Sequence, residues 1–264
     1  MFLLDIYFSE LFCLGQDPAE AVDRMRGIGA THIELMLDGG HWNDFHLKTQ
    51  ELVAKLHRDD VCYAVHTPVW EANLTCENSH IRAAVLETYK QTIVFAAALG
   101  ASHVVIHPGF CNAPTFDKAQ ARCRAAQAIE ELFEFNRPYG LTLLIENVGS
   151  NATSLYTMEE YIDFCNSLPP QGGALVDVGH AYINGWDFET LLSKLGNRLV
   201  SMHLHDNDGS CDSHSPIGAG TIEWEPLLEL VRRQETMPEL ILEYNIGTPL
   251  EKLAEGLKFL QSRM

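Results

Sequence analysis

Eight short and nearly uninterrupted apolar runs, each followed by a stretch of helical spacing, constrain this chain more than any other feature. A strand buried on both faces reads as a continuous apolar run, the mark of a parallel sheet covered by other layers. The runs lie at 2–8, 33–37, 61–66, 104–107, 141–147, 174–178, 199–205 and 240–244. Helical segments follow at about 17–29, 44–59, 80–99, 116–136, 157–167, 187–195, 225–233 and 249–262, with 3.6-type spacing such as Leu52 and Leu56, or Leu253, Leu257 and Leu260. Strand–helix alternation implies right-handed βαβ crossovers. The 264 residues average about 33 per unit, the size of one such repeat. The expected fold is α/β, a single (β/α)8 TIM barrel spanning 1–264 as one domain. A doubly wound open sheet is the structural alternative, but no G-x-G-x-x-G follows a strand.

The formal net charge is −18, from 36 acidic and 18 basic residues. Nucleic-acid binders carry a basic face, so this balance argues against polyanionic partners. The seven cysteines are odd in number, scattered and without a C-x-x-C pair, which reads as reduced thiols in a cytoplasmic protein. The opening Met1-Phe2-Leu3-Leu4-Asp5 meets an acid at once and lacks the basic segment of a secretory leader. No run of about 18 apolar residues exists, so no membrane span is expected.

Polar residues fall at the ends of the runs. His66 ends the third, His107 the fourth and Glu146 the fifth. Asp177 and His180 close the sixth, and Glu243 the eighth. The seventh feeds into His203 to Trp224, where three histidines and three aspartates crowd into twelve residues before Pro216-Ile217-Gly218-Ala219-Gly220. His203 and His205, two apart on a strand, point the same way; Asp212 and His214 make a second pair. In a barrel these strand ends converge on one mouth, where active sites sit. So many ionisable groups without counter-charge would cost several kcal/mol, and divalent cations resolve the conflict. Mixed imidazole and carboxylate ligands suit zinc, manganese, iron or cobalt.

Blander readings hold elsewhere. His32 and His103 begin strands and belong at the opposite end of the barrel; His41, His46, His57 and His80 sit in loops or on helices. Glu34 reads as a buried, hydrogen-bonded acid, while His205, Asp206 and Asp208 divide between supporting the ligands and shaping the loop. Trp42, Trp70, Trp186 and Phe110 either wall a pocket, as aromatic faces do for a sugar ring, or cover the rim. Gly109, Gly149, Gly179, Gly218 and Gly220 suit tight turns or close approach.

Taken together, His66-Thr67-Pro68, His107-Pro108-Gly109, Glu146-Asn147, Asp177-Val178-Gly179-His180, the stretch from His203 to Asp208 and the stretch from Asp212 to Gly220 resemble the xylose-isomerase-like TIM barrels. That superfamily also includes the type IV AP endonucleases. The resemblance covers essentially the whole chain, and the last two stretches look closest to the sugar phosphate isomerase/epimerase branch. In that branch the resemblance implies one metal held by Glu146, Asp177, His203 and Glu243, with Glu146 and Glu243 also flanking the substrate carbon as base and acid. In the endonuclease branch it implies three ions held by all nine positions: His66, His107, Glu146, Asp177, His180, His203, Asp212, His214 and Glu243. The expected function is therefore metal-dependent isomerisation or epimerisation of a small sugar or sugar phosphate, using one to three divalent ions. The alternative is phosphoester hydrolysis by a multinuclear cluster on a non-DNA substrate. The connection at 69–79 contains no Arg or Lys, in keeping with a non-DNA substrate. Homo-oligomers occur among similar barrels.

Overall fold

The computed structural model describes residues 5–264 apart from 112, 114 and 151. Its strands are β1 (Ile6–Ser9), β2 (His32–Met36), β3 (Cys62–His66), β4 (His103–Ile106), β5 (Thr142–Glu146), β6 (Gly172–Asp177), β7 (Leu199–Leu204) and β8 (Glu239–Leu242). Each pairs in parallel with the next, and β8 returns to β1 through Ile6 and Leu240, so the sheet is a closed barrel. The helices are α1 (Pro18–Gly27), α2 (Thr49–Leu56), α3 (Ser79–Leu99), α4 (Lys118–Asn136), α5 (Met158–Ser167), α6 (Val178–Ile183), α7 (Phe188–Leu195), α8 (Trp224–Arg232) and α9 (Leu250–Gln261). The main core lies between this helical ring and the barrel wall. No helix among the described residues is long and apolar enough to cross a membrane.

A second, smaller cluster fills the barrel itself: Tyr7, Ala64, Val105, Leu144, Leu175 and Ile241. Strand side chains alternate with a period of two, so the next inward-facing positions are His66, His107, Glu146, Asp177 and Glu243. The apolar plug and the polar mouth are thus successive layers of one pleat. The register of β7 slips against β6 at Ala174/Leu175, after which Ser201 and His203 face Leu175 and Asp177 across the ladder.

The eight-fold strand pattern expected from sequence is present, with local differences. Residues 2–4 of the first run lie outside the described residues, and β1 starts at Ile6. The helix expected over 44–59 shortens to α2, because Asp44 adopts a left-handed conformation (φ 55) that regular helix does not allow and two 3-10 turns take up the chain before it. The short helix α6 was not expected. It starts because the Asp177 carboxylate caps it, accepting the His180 backbone N–H at 2.6 Å.

The loop after β7 owes its shape to Asp206, which is fully buried. One carboxylate oxygen accepts from the N–H groups of Asn207 (2.9 Å) and Ile222 (3.2 Å); the other accepts from the Gly218 N–H (2.8 Å) and the Trp224 indole (2.9 Å). Asp206 and Ser215 also exchange backbone hydrogen bonds of 2.7 and 2.9 Å. Gly220 allows this closure, since a Cβ there would lie 2.3 Å from the Asn207 carbonyl oxygen. Because both oxygens are used as acceptors, Asp206→Asn sets an amide N–H against donors. We expect it to lower stability by on the order of 3 kcal/mol, measured as a reduced urea midpoint at unchanged m; an unchanged midpoint would deny Asp206 this role.

Candidate metal centre

His66 at the end of β3 is buried, and its Nδ1–H donates to the Thr67 carbonyl at 2.7 Å. That bond turns Nε2 toward Glu146 Oε2, 3.1 Å away. His107, just past β4, brings its own Nε2 to the same oxygen at 3.0 Å. The loop after β7 repeats the pattern. His214 Nδ1 meets the Glu243 carbonyl at 3.2 Å, and its Nε2 lies 3.1 Å from Asp212 Oδ2. His180, on α6, places Nε2 on that oxygen at 3.0 Å. His214 holds this position with a left-handed backbone, φ 44.

Between the two groups stands His203. Its Nε2 faces the fully buried Glu34 at 3.1 Å. Its Nδ1 faces Glu243 Oε2 at 3.3 Å, Glu146 Oε1 at 3.6 Å and Asp177 Oδ2 at 3.9 Å. Asp177 is held twice over: Asn147 clamps its backbone from both sides, at 2.8 and 3.0 Å, and His205 Nε2 reaches its carboxylate at 2.9 Å. Gly179 makes room for His205, since a Cβ there would sit 2.0 Å from the imidazole.

Burial and mutual attraction oppose each other in this cluster. Burial alone pushes His66 down, but Glu146 and then Glu34 hold it up at about 9. His214, likewise opposed by burial, is held at about 9 by Asp212 and Glu243. His180 is raised well above its ordinary value by Asp177 and Asp212, and His203 by Glu243, Glu34 and Glu146, both against burial. At His107 burial wins over Glu146 and the imidazole stays low. The carboxyls split: burial lifts Glu243 above its ordinary range despite His203 and His214, whereas His107 and His203 override burial at Glu146 and hold it well below. Asp177 and Asp212 are also lowered, by His180 with His205 and by His180 with His214 respectively.

The donors fit a metal. Among the described residues, the buried Nδ1 atoms of His203 and His180 have no hydrogen-bond partner. Each faces carboxylate oxygens at 3.3–3.9 Å, an approach that a proton or a metal ion between imidazole nitrogen and anionic oxygen satisfies. Three-ligand groups close enough to share an ion include His66/His107/Glu146, Glu146/Asp177/His180, His66/His203/Glu243, His205/His214/Glu243 and His180/Asp212/His214. A mixed imidazole and carboxylate set suits the zinc, manganese, iron and cobalt class.

These groups floor a cavity of about 420 Å³ walled by Leu11, Met36, Val69, Trp70, Phe110 and Val148. Its lining contains no Lys or Arg. A family model described as the xylose isomerase-like TIM barrel matches residues 22–263. The chain belongs to that family. Among curated relatives, fructoselysine 3-epimerase of Shigella flexneri is 25% identical over 64% of this chain and 61% of its own. A probable endonuclease 4 of Citrifermentans bemidjiense is 26% identical over 65% of this chain and 66% of its own. Among solved structures, a D-tagatose 3-epimerase-like protein superposes with TM-score 0.83 at 22% identity, covering 98% of this chain and 99% of that one, which shows the shared fold.

All nine positions singled out in the sequence meet at the mouth of this family barrel. Glu34 stands behind His203, His205 behind Asp177, and Asp206 is turned into its loop, while Asp208 is exposed and bonds only Ser210. His32 and His103 lie at the opposite end, near Asp5 and Glu239. Trp70 and Phe110 wall the mouth, whereas Trp186 packs beside Tyr161 and Trp42 against Phe95. Sequence reasoning missed Asp38, whose carboxylate accepts from the Val69 and Trp70 N–H groups and sets the rim; its only signal was its place before Gly39-Gly40. It also missed the apolar walls Leu11, Met36 and Val148, which nothing marks out in a strand-end pattern. In the metal-free protein, His66 and His214 keep protons to about pH 9, against an ordinary 6.5. A raised folded pKa gives stability that is full below 6.5 and lost as pH climbs through 9. The thermal midpoint of metal-stripped protein is expected to fall across that window, and adding zinc should release protons there; a flat midpoint would contradict the assignment.

Proposed function

We propose that this barrel is a metal-dependent isomerase or epimerase of a small carbohydrate. The observation that carries the reading is the placement of Glu146 and Glu243 on either side of His203 Nδ1, at 3.6 and 3.3 Å, beneath an apolar-walled cavity. Glu146, Asp177, His203 and Glu243 would hold the ion. A divalent cation there supplies Lewis-acid polarisation of adjacent carbonyl and hydroxyl oxygens, which acidifies the C–H bond between them. The two glutamates come from the ends of β5 and β8, three strands apart around the mouth, and would address opposite faces of the substrate carbon. Glu146 would take the proton and Glu243 would return one. Asn147, His205 and Glu34 keep Asp177 and His203 in place. Phe110 offers an aromatic face to a sugar ring, and Leu11, Met36 and Val148 keep water from the reacting carbon. Its relatives support this reading by including a fructoselysine 3-epimerase.

One observation favours a second reading, phosphoester hydrolysis by a two- or three-metal cluster. Glu146 Oε2 and Asp212 Oδ2 each sit between two imidazole nitrogens, which a mononuclear isomerase does not need. Adjacent ions could generate a hydroxide and clamp a leaving oxygen, and a relative is a probable endonuclease 4. Elemental analysis of native protein, paired with His180→Ala and His214→Ala, separates the two. The isomerase reading expects about one tightly held ion per chain and most of the activity kept in both variants, measured as exchange of carbon-bound hydrogen of ketoses with deuterated water. Two or three ions, with phosphodiesterase activity that either variant abolishes, would overturn it.

A further inference from the structure

A larger cavity, about 1040 Å³, adjoins the mouth. It runs between the 38–46 segment and the first turns of α3, and Trp70 lines both spaces. Neighbouring residues of three rim segments divide between them. Leu11 faces the mouth and Leu14 the groove; Met36 faces the mouth and Asp38 the groove; Val69 faces the mouth and Pro68 the groove. Trp70 is the residue that lines both. Trp70 is 63% exposed and Ile81, across the groove, 49%, so two large apolar side chains stand uncovered in the groove. Exposed aromatic and aliphatic side chains grouped at a cavity edge are the usual mark of a ligand surface.

The charge of the groove narrows the ligand. Asp38, Asp44 and Glu71 line it, and among the described residues neither it nor the mouth has a lining Lys or Arg. Phosphate recognition relies on such side chains or on free helix N-termini. The start of α3 at the groove edge is already capped, its His80 and Ile81 N–H groups donating to Asn78 Oδ1 at 2.9 and 3.4 Å. We infer that the substrate is an uncharged glycosylated sugar of about disaccharide size, its reacting ring in the mouth and its second ring in the groove, with Trp70 selecting for the second ring. This rests on the isomerase reading and deepens it. The rim holds Trp70 in place through Asp38, which fixes the backbone N–H groups of residues 69 and 70. Trp70 lines both cavities, so its indole is within reach of a ring bound in either.

The test compares D-fructose with lactulose and isomaltulose, two ketoses bearing a second sugar at different hydroxyls, and with fructose 6-phosphate, on the zinc- or manganese-loaded enzyme. Both equilibrium affinity by calorimetry and kcat/KM for hydrogen exchange are read. At least one disaccharide should exceed fructose by tenfold or more in affinity, and fructose 6-phosphate should not. Trp70→Ala, and Ala84→Trp as an independent plug of the groove, should each bring that ratio close to one. A ratio at or below one in the native enzyme, a ratio unchanged in either variant, tighter binding of the phosphate, or binding of neither sugar would overturn the inference. The affinity ratio without hydrogen exchange on any sugar would sink the isomerase reading and leave the extended site standing; exchange on fructose with no ratio would do the reverse.

Discussion

The structure turns on one carboxylate. Glu146 receives His66 and His107 on one oxygen, and His180 and His203 approach the other, so imidazoles carried by four different segments meet on a single side chain at the end of β5. Each of those rings sits in a place where burial disfavours a charge, and each carboxyl likewise. The mouth is stable only as a balanced set, in which cations, whether protons or metals, offset the acids. Removing any one partner leaves the others buried and uncompensated. That interdependence explains why supporting groups such as Glu34, His205 and Asn147 are as buried as the residues they orient.

The barrel supplies what this balance requires. Parallel strands bring their C-terminal ends to one side, and the pleat lifts alternate residues into successive layers. The apolar plug at Ala64, Val105, Leu144, Leu175 and Ile241 closes the floor beneath the polar layer. It keeps bulk water from reaching the cluster through the barrel and so preserves the strength of its electrostatics. The apolar walls at the rim do the same from above.

Much of this was legible in the chain. Continuous apolar runs of strand length announced buried parallel strands, and polar residues two positions beyond the plug residues announced the mouth. His66, His107, Glu146, Asp177 and Glu243 are each such a residue, which is why a one-dimensional pattern placed them. Other features depend on contacts distant in sequence. Helix α6 follows from the side chain of Asp177 folding back to cap it, and the loss of helix at residue 44 follows from a backbone conformation that composition does not reveal. Trp186 looked like a rim residue because it follows a strand end, yet it packs against Tyr161, since α6 carries the chain outward before it. The rim groove was invisible because Asp38 comes from the connection after β2, and Trp70 and Ile81 from the segment after β3.

The anchoring of the loop after β7 divides it into two parts with different freedoms. Asp206 grips Gly218, Ile222 and Trp224 at the base, while Gly209, Ser210, Cys211 and Asp212 at the tip are exposed and make no such contact with the anchor. The tip is therefore a replaceable insert on a fixed hinge plate. Change in the tip alone would move Asp212 while leaving Glu146, Asp177, His203 and Glu243 where the barrel wall puts them, so the rim of the mouth can be remodelled without first loosening the fold.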